Sequence, residues 1–217
     1  MDTSANKEPT LGNVSNSEEL AKILKSKFSE IGEYKLDETL EAGTSNDVNE
    51  DFFASEIKAE TIAASTDARY TYDLGVINLS IYKFKEKAEA WKVFDFFDEK
   101  MVEAASQVFD DMKAKAEKEG KKFIYEAEKT DNSFTIFHKE KGIKLLVVKQ
   151  RGIEESPSIS HNGIGVNMTM QVSGNHVFIV TDNIMVAPGE NKRERGSEVE
   201  DFYLQHEFVI SELMKGL

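Results

Sequence analysis

The chain has no cysteine, so disulfides, thiolate metal sites and cysteine nucleophiles are all excluded. A sequence without thiols suits any compartment. No apolar run approaches the roughly 18–20 residues of a membrane span, and the N-terminus lacks the apolar region of a signal peptide. Basic side chains are in deficit, with 27 Lys and Arg against 40 Asp and Glu and a net charge of −13. The deficit is steepest at the start, where residues 1–66 hold 14 acids and 6 bases. A field of that sign repels phosphate, which disfavours nucleic acid and anionic membranes as partners. Its plainest role is solubility, with a basic partner or a cation as the alternative reading.

Motifs that carry chemistry are also scarce. The four histidines, His138, His161, His176 and His206, form no His-x-His, His-x-x-x-His or Glu-x-x-His pair. His206-Glu207 opens like a zinc-protease motif, but Ile210 stands where the second histidine belongs. Asp47, Asn49 and Asp51 have the spacing of the first three ligands of a calcium loop. Phe52 and Lys58 then occupy the glycine and bidentate-acid positions, so a polar turn is the better reading. Gly163-Ile164-Gly165 begins a dinucleotide fingerprint that Met168 breaks. There is no Gly-x-Ser-x-Gly elbow. Asp95, Glu99 and Glu103 stack at four-residue intervals beside Lys92 and Lys100, and read as a solvated helix face. The residues call for no metal and no cofactor, and their motifs match no known family.

What the chain does have is periodicity. Ala90, Phe94, Phe97, Met101, Ala104, Val108 and Met112 recur at steps of three and four between Glu86 and Lys118. That spacing predicts a helix of about 45–50 Å, longer than a small sheet can cover, so one end projects or the helix breaks. Ser15 and Glu18 have capping-box spacing ahead of Leu20, Ile23, Leu24, Phe28 and Ile31, with Gly32 as the stop. A short helix over residues 51–62 is expected after a loop at 43–50. From Ala68 the period changes to two: Tyr70, Tyr72 and Leu74, then Ile77, Leu79 and Ile81, with Gly75 as a bulge or a turn. Further strands are predicted at 123–129, 133–139, 143–150, 166–172 and 176–181, joined mostly by short turns. Val166, Met168, Met170 and Val172 alternate with Asn167, Thr169 and Gln171 as a half-buried strand should. Ser197 and Glu200 cap a last helix carrying Val199, Phe202, Val209, Ile210 and Leu213.

Two surfaces remain as places for function. The connection Gly152–Gly165 is long and aperiodic, and Ser160, His161 and Asn162 within it are candidates to hydrogen-bond a small polar ligand. The start of the long helix is crowded with aromatics. Phe96 lies almost opposite Phe94 around the helix, so Trp91 and Phe96 either need cover from the N-terminal helix or form a partner surface.

The expected fold is therefore α+β, a mainly antiparallel meander sheet of five to six strands. One long helix packs on a face, and N- and C-terminal helices complete the cover. Residues 1–16 read as a disordered polar leader, 17–66 as an N-terminal helical segment and 67–217 as the α+β domain, the last two in one unit. Residues 2–17 have the composition of the tether that follows the lipid-modified cysteine of a bacterial surface lipoprotein. The leading expectation is a non-enzymatic binding module, exported and envelope-tethered, taking a protein or a small polar ligand. The alternatives are a cytosolic assembly protein acting through its long helix, and an enzyme whose acid–base residues meet only in three dimensions.

Overall fold

Two runs of antiparallel strands, one before and one after the long helix, join side by side into one sheet. A computed structural model describes residues 10–41, 58–72, 75–131, 133–140, 143–162, 167–182 and 195–217. Helix α1 (Ser17–Lys27) leads into β1 (Glu30–Ile31), β2 (Tyr34–Glu41), β3 (Ile62–Tyr72) and β4 (Gly75–Phe84). Helix α2 (Lys87–Lys118) follows, then β5 (Tyr125–Thr130), β6 (Ser133–His138), β7 (Ile143–Ile153), β8 (Ser156–Asn162), β9 (Asn167–Ser173) and β10 (His176–Asp182). Helix α3 (Arg195–Met214) closes the chain. The sheet runs β1-β2-β3-β4-β10-β9-β8-β7-β6-β5, every pair antiparallel.

The class is α+β and antiparallel as read from the sequence, but the sheet has ten strands rather than five to six. Four segments account for the difference, the first being the two-residue β1, where the spacing predicts the end of the first helix. The residues on either side of 73–74 form two antiparallel strands, Tyr72 pairing with Gly75 at the start of β4, and β3 begins at Ile62, where the spacing predicts a helix. The loop at 43–50 and residues 51–57 of that expected helix lie outside the described residues. β2 was unread because its register shifts between Leu36 and Glu38, and a bulge breaks the period of two. The supposed loop Gly152–Gly165 contains β8, joined to β7 by a two-residue turn at Glu154-Glu155.

The topology explains the length of α2. β4 pairs with β10, whereas β5 stands at the far edge, six strand spacings away, or about 29 Å at 4.8 Å each. The helix crosses the sheet face to make that journey, touching β4, β10, β9, β7 and β6. Its 32 residues span about 48 Å at 1.5 Å per residue, more than the crossing needs. Ala90, Val93, Phe94, Phe97, Met101 and Ala105 are buried, and no helix residue beyond Ala105 is. The expected core positions Ala104, Val108 and Met112 are thus corrected: Ala104 is exposed, Met112 partly so, and Val108 is 43% exposed.

The opposite face is covered by the terminal helices. Leu20, Ile23 and Leu24 of α1 and Val209, Ile210 and Leu213 of α3 share one core with Tyr70, Leu79, Ile81 and Phe178. The cap of α1 is Asn16, not Ser15. Its side chain accepts from the Glu19 N–H at 2.9 Å, while Ser15 donates twice to the Glu19 carboxylate. The α1 helix ends at Lys27, and Gly32, at φ +61°, makes the β1–β2 turn instead of stopping the helix. A Cβ there would lie 2.9 Å from the Phe208 ring.

Since α1 lies on the far face of the sheet from α2, it does not cover Phe96. That expectation fails because the apolar side of α1 finds β2 and β3 instead. Phe96 is half-buried on the outer side of α2, with the Lys100 ammonium 5.9 Å from its ring centre. Trp91 packs edge-on to Phe94 at 6.4 Å, below the Lys87 ammonium at 5.4 Å. Phe96→Ser is therefore expected to cost under about 1 kcal/mol in a denaturant titration, as for a residue outside the core.

Candidate functional site: a sealed hydroxyl, imidazole and carboxylate chain

The alternation in β9 is real, yet both of its faces are buried. Met168, Met170 and Val172 point to α2, while Asn167 and Thr169 point the other way and are also closed from solvent. The polar side of β9 and its neighbour β8 forms the seat on which α3 lies. His206 occupies the apolar stripe of α3, one turn ahead of Val209 and Ile210. A buried imidazole needs hydrogen-bond partners, and the seat supplies them.

The partners form a chain. Ser160 Oγ and Thr169 Oγ1 are 3.1 Å apart, Thr169 Oγ1 and His206 Nδ1 are 3.1 Å apart, and His206 Nε2 is 3.2 Å from Asp182 Oδ2. With hydrogen on Nε2, every bond points one way. Ser160 donates to Thr169, Thr169 donates to Nδ1, and Nε2–H donates to the carboxylate. Among the described residues Asp182 Oδ1 accepts no hydrogen bond. Arg151 Nη1 and Glu207 Oε1, 3.4 Å apart, close the helix onto β7 beside this chain. Below it, Gln171 Nε2 donates to Ser156, whose hydroxyl donates to Val172 O at 2.9 Å.

A hydroxyl beside an imidazole beside a carboxylate is the order of groups in a nucleophilic triad. The surroundings differ from those of one. Ser160 and Thr169 are 0% exposed, His206 1% and Asp182 5%, so no reacting atom has room beside either hydroxyl. What the chain does physically is satisfy the polar groups beneath α3 and fix the register of that helix on the sheet.

The structure separates the sequence-predicted ligand residues. Ser160 and His161 are consecutive in β8 and so face opposite sides of the sheet. Ser160 belongs to the sealed chain. His161 is half-buried on the α2 face, opposite Val148 and Met168 in register, and burial holds its imidazole pKa below the ordinary value. Asn162 ends β8, paired with Val147 and Asn167. Ser160 and His161 are therefore not brought together. His138 is buried edge-on to Tyr125 at 5.2 Å. Neither Thr169 nor Asp182 stood out in the sequence. The usable signal was His206 itself, an imidazole in phase with an apolar stripe.

His176 anchors a different piece. Thr10–Val14 lies along the sheet end as a 3-10 turn, with Leu11 and Val14 buried in the α1 core. These residues were expected within the disordered leader. His176 Nε2 donates to Leu11 O at 3.1 Å, and Lys83 Nζ donates to Gly12 O and Val14 O at 2.9 and 2.7 Å. Gly12 is required there, because a Cβ would meet Leu217 O at 2.6 Å.

Burial pushes the His176 pKa down to about 4. The Leu11 hydrogen bond opposes that shift and the nearby Lys83 charge adds to it. A folded pKa below the unfolded value of 6.5 means that the unfolded chain takes up the proton first. The contribution of His176 is thus complete above pH 6.5 and drains away as pH falls to 4. It amounts to about 3 kcal/mol. Unfolding free energies measured across that window should show the slope, and His176→Gln should flatten it.

Among the described residues no three His, Asp or Glu side chains converge as metal ligands. No helix among them is long and apolar enough to cross a membrane. The stacked acids of α2 sit beside lysines as a solvated face does, Lys100 pairing with Glu103 at 2.5 Å and Lys92 with Glu89 at 2.8 Å. The Asp47, Asn49 and Asp51 spacing lies outside the described residues.

No protein-family model matches this chain. No curated protein matches it either. Among solved structures, the extracellular domain of PknH from Mycobacterium tuberculosis is similar at a TM-score of 0.35 and 9% sequence identity, over 92% of each chain. So loose a likeness carries no weight for function or location.

Proposed function

We propose that this chain is a non-enzymatic binding module that works outside the cytoplasm, tethered through its N-terminal stretch. One observation carries the non-enzymatic part: the acid–base chain Asp182–His206–Thr169–Ser160 is closed from solvent along its whole length. A nucleophile must meet its substrate, and these hydroxyls meet a helix. The same groups have a sufficient role in holding α3 to its seat. The exported part rests on the hydrophilic composition of residues 2–17.

Hydrolysis of activated esters tests the first half. Turnover above the buffer rate that disappears in His206→Gln, with folding intact, would overturn it. Fractionation of cells carrying the native full-length gene product tests the second half, and a cytosolic location removes it. A second reading, an assembly protein using α2, is favoured by the exposed stretch beyond Ala105 and by Val108 within it. Sedimentation as a strict monomer at high concentration counts against that reading.

A further inference from the structure

Near its middle, α2 passes the ends of β5 and β6 and the adjoining part of β7, and a small cleft opens between them. Asp98 and Val102 line one wall, and Lys129, Thr130, Asp131, Ser133, Val148 and Gln150 the other, around about 70 Å³. Two of the polar groups are committed to each other: Thr130 Oγ1 and Ser133 Oγ are 2.7 Å apart. Four others are not. The side chains of Asp98, Lys129, Asp131 and Gln150 share the cleft without an ion pair or hydrogen bond to any described residue. Asp98 on α2 and Lys129 on β5 thus keep their charges unpaired in the cleft, with the exposed carboxylate of Asp131 on the Lys129 side.

The cost of that arrangement falls on Asp98. It is half-buried, and burial raises its carboxyl pKa, with Asp95 one turn back adding repulsion. The desolvated carboxylate therefore lacks the compensation that partly buried charges normally find. A bound ammonium group would provide it. On the opposite wall Lys129 would take a carboxylate, with the Gln150 amide as a neutral donor beside it.

We infer that this cleft is a binding site for a small zwitterion of the α-amino-acid type, with its ammonium on Asp98 and its carboxylate on Lys129. The size agrees. At about 70 Å³ the cleft has room for only a few water-sized groups, which favours the smallest amino acids. Gln150 and Val148 floor the site from β7, so a longer side chain would have to leave toward solvent. This inference rests on the binding-module reading and gives it a ligand class.

Amide chemical-shift titration of the full chain with glycine, methylammonium and acetate tests the assignment. Glycine at millimolar concentration should shift the amides around Asp98, Lys129 and Gln150, while methylammonium and acetate, each carrying one of the two charges, bind at least about tenfold more weakly. Asp98→Asn and Lys129→Met, both with unchanged melting temperatures, should each weaken glycine by a similar factor. Affinity should also fall on acidification as Asp98 takes up its proton. Equal glycine binding by Asp98→Asn, equal binding of methylammonium and glycine, or no shift at this cleft with any of the three would overturn the inference. None of those results touches the sealed His206 chain, whose own test is ester turnover, so the two readings fail separately.

Discussion

Phe97→Ala lowers the unfolding free energy by about 3–5 kcal/mol in a urea titration, the range for deleting a fully buried aromatic side chain. The ring is completely buried within the core that α2 shares with Ile136, Ile159, Met170 and Ile179. These residues belong to β6, β8, β9 and β10, so the cavity would open in the middle of the crossing rather than at an edge. The sheet is held rigid by its ladder and cannot collapse into the space, which places the cost toward the upper end. Val108→Ala on the same helix, at 43% exposure, should change stability by no more than about 0.5 kcal/mol. Equal losses at the two positions would mean that the distal part of α2 is packed after all. A small loss at Phe97 would remove the crossing helix as the organiser of this face.

His206→Ala is the second large effect, with about 3–5 kcal/mol lost in the same measurement. Removal of the imidazole strands the Asp182 carboxylate, whose Oδ1 accepts no hydrogen bond among the described residues. It also takes away the acceptor of Thr169 and with it the order of the Ser160 hydroxyl. The double variant His206→Leu with Asp182→Val separates packing from unpaired charge. It should recover much of the loss, since replacing a buried polar pair with apolar side chains is often near neutral. If the double variant is as unstable as His206→Ala alone, the cost lies in the cavity. If His206→Ala costs nothing, α3 is not held by this chain of bonds.

The two effects mark how far periodicity could be read. The crossing helix was legible because its apolar residues repeat at three and four from Ala90 to Met112, and no strand pattern imitates that. β10 was legible for a related reason. Val177, Phe178, Ile179 and Val180 form a continuous apolar run because both faces of that strand are covered, Val177 and Ile179 by α2 and Phe178 and Val180 by the terminal helices. β8 was not legible. Ser156, Ser158 and Ser160 do alternate, but as hydroxyls facing a polar seat, and Pro157 near the strand start reads as a loop. β2 lost its phase at a bulge. Ser160 and His161, neighbours in an expected loop, are parted by the strand geometry that the sequence concealed.

By itself, then, the chain determined its class: an acidic α+β protein without thiols, with one long amphipathic helix between two runs of antiparallel strands. Those properties are local, set by composition and by which residues recur along a single element. Only the tertiary structure decided that β4 pairs with β10, that α1 and α2 lie on opposite faces, and that His206 meets Thr169 and Asp182. Each of these joins residues far apart in sequence, and a buried polar side chain is told from a solvated one only by what the fold sets against it. The cleft at Asp98, Lys129 and Gln150 has the same origin, because it brings α2, β5 and β7 together from distant parts of the chain.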